Sequence, residues 1–461
     1  MKLSIDNFKT IKELKDFTFN SINVISGVNS SGKTSFIQFL LLLKQTIEVQ
    51  SANSHLVFDG NWIKLGCCKN VIYQKNVNNL ISFELSFDGN DIDGYFQPVY
   101  GIEKIFAKID YLIKNEECCL SKIRFSYKTP QQPRKEHFIS FSSNNELFKL
   151  ETDTALFGKE FMELIGKEGN LNLTSFMPST FSTDIDNPDY PELDKNPNKR
   201  ITIETKTKEI QTIISNFFEN ISYIGPLRAE PSDWYQAVRN KYIGNKGEYA
   251  AQFLEEESGK AVDFYQILND GSIGHKQTMA LSKAVKYWIC DIFNLSKDIR
   301  AEKDNDRYVV KVINHYGVES TIRQVGFGIS QVLPIIVEGL RMDKNGLLIL
   351  EQPEIHLHPK VQSLLFDFIY SMSLTGKQFL IETHSDHFIT RMRRRIAESN
   401  SDLYKNVNMV FVEQREAEHL FRKLDLSDMG TFSYFPDDFV EQSDDYDAII
   451  MAQANKSLTK N

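Results

Sequence analysis

The feature that most constrains this chain is a glycine-rich turn set between an apolar strand and an amphipathic helix. The strand is predicted over residues 21–26, and the turn at 27–34 reads GVNSSGKT, which fits the pattern G-x-x-x-x-G-K-[ST] in full. Helical periodicity follows, with apolar residues spaced by three and four at Phe36, Phe39, Leu40, Leu43 and Ile47. Glycines let the backbone curl so that successive N–H groups, and the positive end of the helix, face one phosphate. The segment therefore predicts a phosphate-binding loop.

The side chains of this turn suit a nucleotide bound together with Mg²⁺. Lys33 can reach β- and γ-phosphate oxygens, and the Thr34 hydroxyl can ligate the metal. A chain of this length shows the pattern by accident roughly once in a hundred, so we prefer this interpretation to a glycine turn without function. The residues predicted to contact the nucleotide here are Asn29, Ser30, Ser31, Gly32, Lys33, Thr34 and Ser35.

A second candidate segment is an apolar strand that ends in acids, LLILEQPE at 347–354. A carboxylate at the carboxyl edge of a parallel strand is where nucleotide-bound Mg²⁺ finds a protein partner, so Glu351 is predicted as a metal ligand together with Thr34. The alternative is a strand that merely ends at a solvated acid. Gln352 follows, and its amide cannot take a proton from water, so it can only orient a nucleophile or a phosphate.

Two further turns carry weaker signals. GFGISQ at 326–331 precedes an apolar helix predicted over 332–340 and offers N–H groups and a hydroxyl to an anion, although a helix cap preceded by a flexible turn explains it equally. His384 follows a buried strand and can contact a γ-phosphate or polarise an attacking water; the alternative is a capping histidine. A zinc site is a further alternative, suggested by His356, His358, His384 and His387. No cysteine and no spacing for a third ligand supports it.

Two charged segments lie in the last part of the chain. A basic cluster is predicted at a helix end, where a solvated terminus favoured by the helix dipole is preferred over contact with nucleic acid or an acidic partner. Its members are Arg391, Arg393, Arg394 and Arg395. Residues 435–447 interleave acids with aromatics, which is typical of a docking surface or of an acidic end held by its aromatic side chains.

Hydrophobic periodicity predicts a chain with both antiparallel and parallel sheet. Alternating apolar residues predict strands near 81–87, 105–111 and 123–127, and therefore an antiparallel meander. Residues 182–200, rich in Pro, Asp and Asn, are predicted as a loop or linker, followed by a helix near 208–218. A strand–helix–strand series through 347–350, 379–381 and 409–412 predicts a parallel sheet.

Composition limits the classes of protein that remain. The chain has 461 residues and a net charge of -9, which excludes an overall polycation but not a local basic patch. It holds no apolar run as long as the roughly 18 residues of a membrane span. The 5 cysteines fit no CxxC framework and are predicted to be reduced thiols. We therefore expect a cytoplasmic protein with no membrane contact.

Taken in order, these motifs resemble those of ABC/SMC-type ATPase heads in overcoming-lysogenization-like and related anti-phage ATPases. The resemblance identifies 27–34 as the Walker A motif, 326–331 as a divergent signature loop and Glu351 as the Walker B acid. It identifies 355–359 as the D-loop and His384 as the switch histidine. Residues 7–9, 223–228 and 434–439 also look like a subgroup of these ATPases.

The resemblance implies an α/β ABC/SMC-type P-loop ATPase head, with a mixed β-sheet, an antiparallel meander and a helical arm region, and without a TOPRIM domain. The expected organisation is an ATPase lobe over 1–87, a meander and inserted arm or linker over 88–270, a second ATPase lobe over 271–425, and an acidic aromatic tail over 426–461. It also implies ATP and Mg²⁺ as cofactors. The signature residues expected at the nucleotide are Gly328, Ile329, Ser330 and Gln331, and the expected catalytic residues are Glu351, Gln352, Glu354 and His384.

The implied function is an ATP-gated switch subunit in an anti-phage complex, similar to the ATPase subunit of Septu-type defence, which works with an HNH nuclease partner. Hydrolysis is expected to be slow, because Gln352 stands where the family carries a catalytic glutamate. Head-to-head homodimers, or larger homo-oligomers, are expected to share composite ATP sites, with DNA as a further candidate partner. The alternatives are an ATPase of DNA repair or processing and a transporter ATPase subunit. A nuclease with its own TOPRIM domain is rejected, because only about 50 residues follow the strand at 409–412.

Overall fold

A computed structural model defines two compact units, Met1–Phe19 with Thr34–Ile221 and Asn20–Lys33 with Ser222–Asn461. The structure describes residues 1–28, 31–49, 56–88, 104–114, 116–129, 132–144, 147–153, 165–174, 177–184, 198–202, 204–268, 272–398, 402–415 and 418–434. Within these ranges no helix is both long enough and apolar enough to cross a membrane.

Strands are the commoner element. In chain order they are β1 (Lys2–Phe8), β2 (Ile11–Thr18), β3 (Ile22–Gly27), β4 (Ile81–Asp88), β5 (Lys104–Lys114), β6 (Glu117–Thr129), β7 (Gln132–Asn144), β8 (Leu147–Thr152), β9 (Glu168–Thr174), β10 (Met177–Asp184), β11 (Asn198–Thr202), β12 (Ile221–Ile224), β13 (Tyr235–Gln236), β14 (Ala261–Ile267), β15 (Ile273–Ala280), β16 (Asp298–Asp304), β17 (Arg307–Ile313), β18 (Glu319–Thr321), β19 (Leu347–Glu351), β20 (Gln378–Glu382), β21 (Val407–Arg415) and β22 (Glu418–Leu424). The α-helices are α1 (Lys33–Glu48), α2 (Glu204–Glu219), α3 (Ala250–Glu256), α4 (Leu281–Lys286), α5 (Phe327–Arg341), α6 (Pro359–Ser373), α7 (Asp386–Glu398) and α8 (Leu403–Asn406).

The first unit is built on one antiparallel sheet of 10 strands, in the order β11-β10-β9-β8-β7-β6-β5-β4-β1-β2. The predicted meander is confirmed, because β4, β5 and β6 pair antiparallel and their alternate apolar residues are buried. Helix α1 packs its apolar face on this sheet. The Phe39 ring lies 5.0 Å from Phe8 on β1 and 5.4 Å from Phe83 on β4. Edge-to-face contacts of this kind add to the energy of burial.

The segment 182–200, predicted as a loop, is strand at both of its ends. Strand β10 runs to Asp184 and β11 starts at Asn198, and these two residues are paired in register. Pairing therefore extends into the polar segment, and Phe181 and Ile201 are register partners on the same two strands. Residues 185–197 lie outside the described part of the chain. The helix predicted at 208–218 is confirmed as α2, which starts 4 residues earlier.

The second unit contains a mixed sheet of 6 strands in the order β12-β19-β20-β3-β21-β22. Strands β19, β20, β3 and β21 run parallel, and β22 returns antiparallel to β21. The parallel sheet predicted from the last third of the chain is therefore confirmed, with β3 inserted between its strands. Smaller sheets accompany it, including a hairpin of β17 and β18.

The core of the second unit is formed largely by α5, α6 and the helical segment after β15. Helix α4 is continued by a π-helical turn, Tyr287–Ile292. Trp288 from this turn is 2% exposed and its ring lies 5.1 Å from Phe368 on α6. All residues of β3 and β19 are buried, which fixes the strands that carry the two main motifs.

The arginine cluster is not the solvated helix end that was predicted. Arg391 and Arg395 lie within α7 and both bind the carboxylate of Asp367 on α6, with Arg391 Nη2 at 2.6 Å and Arg395 Nε at 2.7 Å. The Arg395 side chain is 2% exposed. Arg393 donates to the carbonyl of Gly430, and Arg394 binds Glu398. Two of the four charges thus join α6 to α7, because a buried guanidinium needs a carboxylate partner.

Candidate functional site

The glycine turn leaves the sheet at the carboxyl end of β3. Gly27 pairs with Val412 on β21 and has a φ of +143°, and a Cβ there would come within 2.4 Å of the Val412 carbonyl oxygen. Gly32 also has a positive φ, of +95°. Glycine is required at such positions because it alone lacks a Cβ. Asn29 and Ser30, predicted to contact the nucleotide, lie outside the described residues.

Lys33 ends the turn, and its side chain folds back over it. The Nζ donates to the carbonyl oxygens of Gly27 at 3.0 Å and Val28 at 2.7 Å, and the residue is 3% exposed. Burial lowers the pKa of Lys33, while the negative charge of Glu382 raises it. The Ser31 hydroxyl is buried and, among the described residues, has no hydrogen-bond partner. A buried ammonium and an unpartnered hydroxyl in one turn suit phosphate oxygens.

Thr34 and Ser35 continue directly into α1 and belong to the first unit. The Ser35 hydroxyl lies 2.9 Å from the Thr10 hydroxyl, and either oxygen can donate. These two residues therefore follow Lys33 without a break in the helix.

Two acids end neighbouring parallel strands at the same edge. Glu351 on β19 and Glu382 on β20 are register partners, 5% and 3% exposed. Burial, and to a smaller extent the charge of Glu382, raises the pKa of Glu351 to about 7. The Tyr223 hydroxyl donates to Glu351 Oε1 at 2.9 Å. Two adjacent buried carboxylates repel each other, so a bound cation would stabilise both.

These acids fit a nucleotide-bound Mg²⁺ better than a metal held by protein alone. Within the described ranges, no group of three or more His, Cys, Asp or Glu side chains is placed to hold a metal ion. Mg²⁺ commonly takes one or two carboxylates and completes its shell with water and substrate phosphates. His358, one of the candidate zinc ligands, instead caps α6 through its Nδ1, which accepts from the Lys360 N–H.

The loops after β19 and β20 bring three predicted catalytic residues to this edge. Gln352 has a φ of +44°, and its N–H donates to the Glu382 carbonyl at 2.7 Å. Glu354 Oε1 accepts from the His384 N–H at 2.7 Å, and burial raises the pKa of Glu354. Partial burial, and to a smaller extent the charge of Lys33, lowers the pKa of His384 to about 4. His384 is therefore neutral at pH 7 and can accept or donate one hydrogen bond.

The predicted signature loop is instead the start of a helix. Gly326 is the N-cap of α5, so Gly328, Ile329, Ser330 and Gln331 occupy its first two turns. The last three are buried, and the Ser330 hydroxyl donates to the Phe327 carbonyl at 2.7 Å. Two glycines favoured a turn, but burial of Ile329 with the rest of the apolar helix face outweighs their low helix propensity. Phe327 stays 62% exposed, with its ring 6.2 Å from that of His356.

Three polar residues at this edge were not predicted as part of the site. They are Glu382, Tyr223 and Arg228, whose Nη1 donates to the carbonyls of Glu351 and Gln352, both at 3.1 Å. Glu382 could have been found, because like Glu351 it is an acid that ends an apolar strand. Tyr223 and Arg228 reach the site only through the pairing of β12 with β19, which no local pattern reveals.

Residues 1–389 match the model of the AAA ATPase domain family. The Old nuclease of Escherichia phage P2 is 25% identical to this chain over 223 residues, which are 44% of this chain and 36% of that protein. The chain therefore matches only about a third of this relative's length.

Several solved structures of SMC heads are similar at low identity. The Smc head bound to the C-terminal winged-helix domain of ScpA has a TM-score of 0.41 and 10% identity, covering 92% of this chain and 97% of that one. A Pyrococcus furiosus Smc head with an extended coiled coil, bound to the C-terminal domain of ScpA, has a TM-score of 0.41 and 11% identity, covering 92% and 96%. The SMC head of Thermotoga maritima has a TM-score of 0.34 and 9% identity, covering 92% and 98%.

The architecture itself supports the predicted fold class. The P-loop strand β3 lies inside a mixed sheet. Its neighbour β20 ends in Glu382, and the next strand, β19, ends in Glu351. The chain also contains a separate antiparallel sheet. This is the ABC/SMC-type P-loop ATPase head expected from the motifs. Because the family model covers residues 1–389 of the 461, the chain belongs to the AAA ATPase domain family.

Proposed function

We propose that this protein is a slowly hydrolysing ATPase that acts as a nucleotide-gated switch in an anti-phage defence complex and controls a separate HNH-type nuclease. The observation that carries the ATPase part is the edge of the mixed sheet where Glu351 and Glu382 are register partners and the charge of Glu382 acts on buried Lys33. The defence part rests on the motif resemblance to Septu-type ATPase subunits. Similarity to the phage P2 Old nuclease supports a link to nucleic-acid cleavage.

In this mechanism the chain binds ATP through the turn at 27–34. Lys33 exchanges its two carbonyl contacts for β- and γ-phosphate oxygens, and Ser31 donates its hydroxyl to the phosphates. Thr34 and Glu351 would hold Mg²⁺, which would supply positive charge to neutralise the phosphates. Ionisation of Glu351 is favoured there, because a bound cation offsets the burial that raises its pKa.

The attacking water is oriented by the loop after β19. The Gln352 amide holds the water without taking its proton, and Glu354, with one carboxylate oxygen already bound by the His384 N–H, accepts that proton. Neutral His384 donates a hydrogen bond near the γ-phosphate. Since the base acts from Glu354 rather than from the position next to Glu351, hydrolysis is slow and bound ATP persists long enough to hold an assembled state.

Gln352→Glu is expected to speed hydrolysis by about 100-fold, the lower end of what a positioned general base contributes. Phosphate release at saturating ATP and Mg²⁺ measures the rate. Gln352→Met, which keeps the length of the side chain but removes its hydrogen bonds, serves as the control and should be slower than wild type. An unchanged rate in Gln352→Glu would mean that the water is held elsewhere.

The composite site of the proposed homodimer is tested at Gly328. Apart from the neighbouring backbone of its own helix, no atom of the described residues lies within 4 Å of the position that a Gly328 Cβ would take, so Gly328→Asp fits the monomer. Across a head-to-head interface the new carboxylate would face the γ-phosphate of the partner, and like charges repel. We expect ATP binding to be kept and ATP-dependent dimers to be lost in light scattering. Gly259→Asp, at an equally open glycine, is the control; dimers that persist in Gly328→Asp contradict the assignment of α5.

The switch itself is tested with the protein encoded by the neighbouring open reading frame. An HNH-type nuclease should co-purify with this chain, and its DNA cleavage should change when ATP is added. The same mixture made with a chain that cannot bind ATP should lose that response. A permease as the stable partner would instead assign the chain to transport, and a recombination protein would assign it to DNA repair.

A further inference from the structure

Arg228 is a buried arginine that donates hydrogen bonds to main-chain carbonyls beside Glu351, the proposed Walker B acid. It is 7% exposed, and its Nη1 donates to three carbonyl oxygens, those of Pro226 at 2.9 Å, Glu351 at 3.1 Å and Gln352 at 3.1 Å. The first carbonyl lies in its own turn after β12, and the other two belong to the end of β19 and the residue after it. One nitrogen thus ties the turn after β12 to the loop that carries Gln352.

The contact to Gln352 matters because this residue has an unusual backbone. Its φ of +44° lies in the left-handed region, which is unfavourable for a residue with a side chain. Such a conformation persists only when its surroundings fix it. The Gln352 N–H is bound by the Glu382 carbonyl, and its own carbonyl is bound by Arg228. The two contacts together set the direction in which the Gln352 side chain leaves the sheet.

The other two nitrogens of the Arg228 guanidinium do not share these hydrogen bonds. Arg228 Nε and Nη2 are buried and, in the part of the chain that the structure describes, have no hydrogen-bond partner. The same holds for Glu354 Oε2, and the charge of Arg228 acts on Glu354. Buried unpartnered groups of this kind lower the free energy of unfolding, more so when charged, so their retention points to a function rather than to stability.

We propose that Arg228 is a positioning residue for ATP hydrolysis, which fixes the backbone of Gln352 and faces Glu354 so that these two side chains hold the attacking water. The inference rests on the proposed ATPase function and deepens it. Arg228 contacts the carbonyls of the loop rather than the phosphate-binding turn, so it acts on the chemical step and not on the affinity for ATP.

The test compares two variants of the full chain with wild type. Arg228→Met keeps the volume of the side chain and removes a buried charge, so it should fold. We expect its kcat to fall about 10- to 100-fold, as for other residues that orient a catalytic group. The Kd for ATP should change by less than about twofold. In Arg228→Ala, added guanidinium ions should restore part of the lost kcat, which a purely structural role would not allow.

The control is Arg341→Met, a partly buried arginine of the same unit, which binds Glu338 and Glu257. It should lower thermal stability without changing kcat. A wild-type kcat in folded Arg228→Met, or an equal loss of kcat without guanidinium rescue in Arg228→Ala, overturns the inference. If wild type itself neither binds nor hydrolyses ATP, the proposed function fails instead, so the two failures are distinguishable.

Discussion

Lys33→Ala is expected to abolish ATP binding. The Lys33 ammonium is buried inside the phosphate-binding turn and contacts only carbonyl oxygens of Gly27 and Val28 among the hydrogen bonds that the structure defines for it. Loss of two charge-assisted hydrogen bonds to phosphate, at about 1.5 to 3 kcal/mol each, weakens binding by about 100-fold or more. Isothermal titration with ATP and Mg²⁺ measures the effect.

Lys33→Met separates binding from folding in this experiment. Burial lowers the pKa of Lys33, so its charged form is held in the folded protein at a cost. Replacement by an apolar side chain of similar length should therefore leave the melting temperature without nucleotide unchanged or raised, while ATP binding is lost. A folded Lys33 variant with wild-type affinity would show that the phosphates are bound elsewhere.

Asp367→Ala is expected to destabilise the second unit by about 3 to 5 kcal/mol, the range measured when one partner of a buried ion pair is removed. Asp367 is 3% exposed and binds two guanidinium groups, from Arg391 and Arg395. Without the carboxylate, Arg395 in particular is left with Nε and Nη2 unsatisfied inside the protein. Urea unfolding followed by circular dichroism measures the free energy.

Arg394→Ala is the matched control, because the Arg394 side chain is 53% exposed and binds only at the surface, to Glu398. Its loss should cost less than about 1 kcal/mol. If Asp367→Ala unfolds at the same urea concentration as Arg394→Ala, the ion pairs between α6 and α7 are not what holds these helices together.

The motifs that are continuous in sequence were predicted well. The strand, glycine turn and helix around Lys33 form as expected because a buried strand, two positive-φ glycines and a 3.6-residue period each leave a local signal. The same is true of β19, whose apolar residues end at Glu351. Local periodicity also identified the meander, although not that it extends to 10 strands. The strands β7 to β11 continue it between chain neighbours, whereas β1 and β2 join it through the pairing of β1 with β4, which are far apart in the chain.

Misjudged features depend on contacts between distant segments. GFGISQ was expected as a turn, yet it starts α5 because Ile329 is buried with the helix. The arginines of α7 were expected in solvent, yet Asp367, 24 residues before Arg391, binds two of them. Tyr223 and Arg228 belong to the candidate site only through the strand order of the mixed sheet. The division into four segments and the roles of the site residues stay predictions.

Equilibrium binding of ATP to the purified wild-type chain, with Mg²⁺ and then with EDTA, tests the central claim most directly. The buried ammonium of Lys33 and the paired acids Glu351 and Glu382 should give saturable binding of one nucleotide per chain that weakens when the metal is removed. Absence of saturable binding in the presence of Mg²⁺, by a protein shown to be folded, would contradict the account.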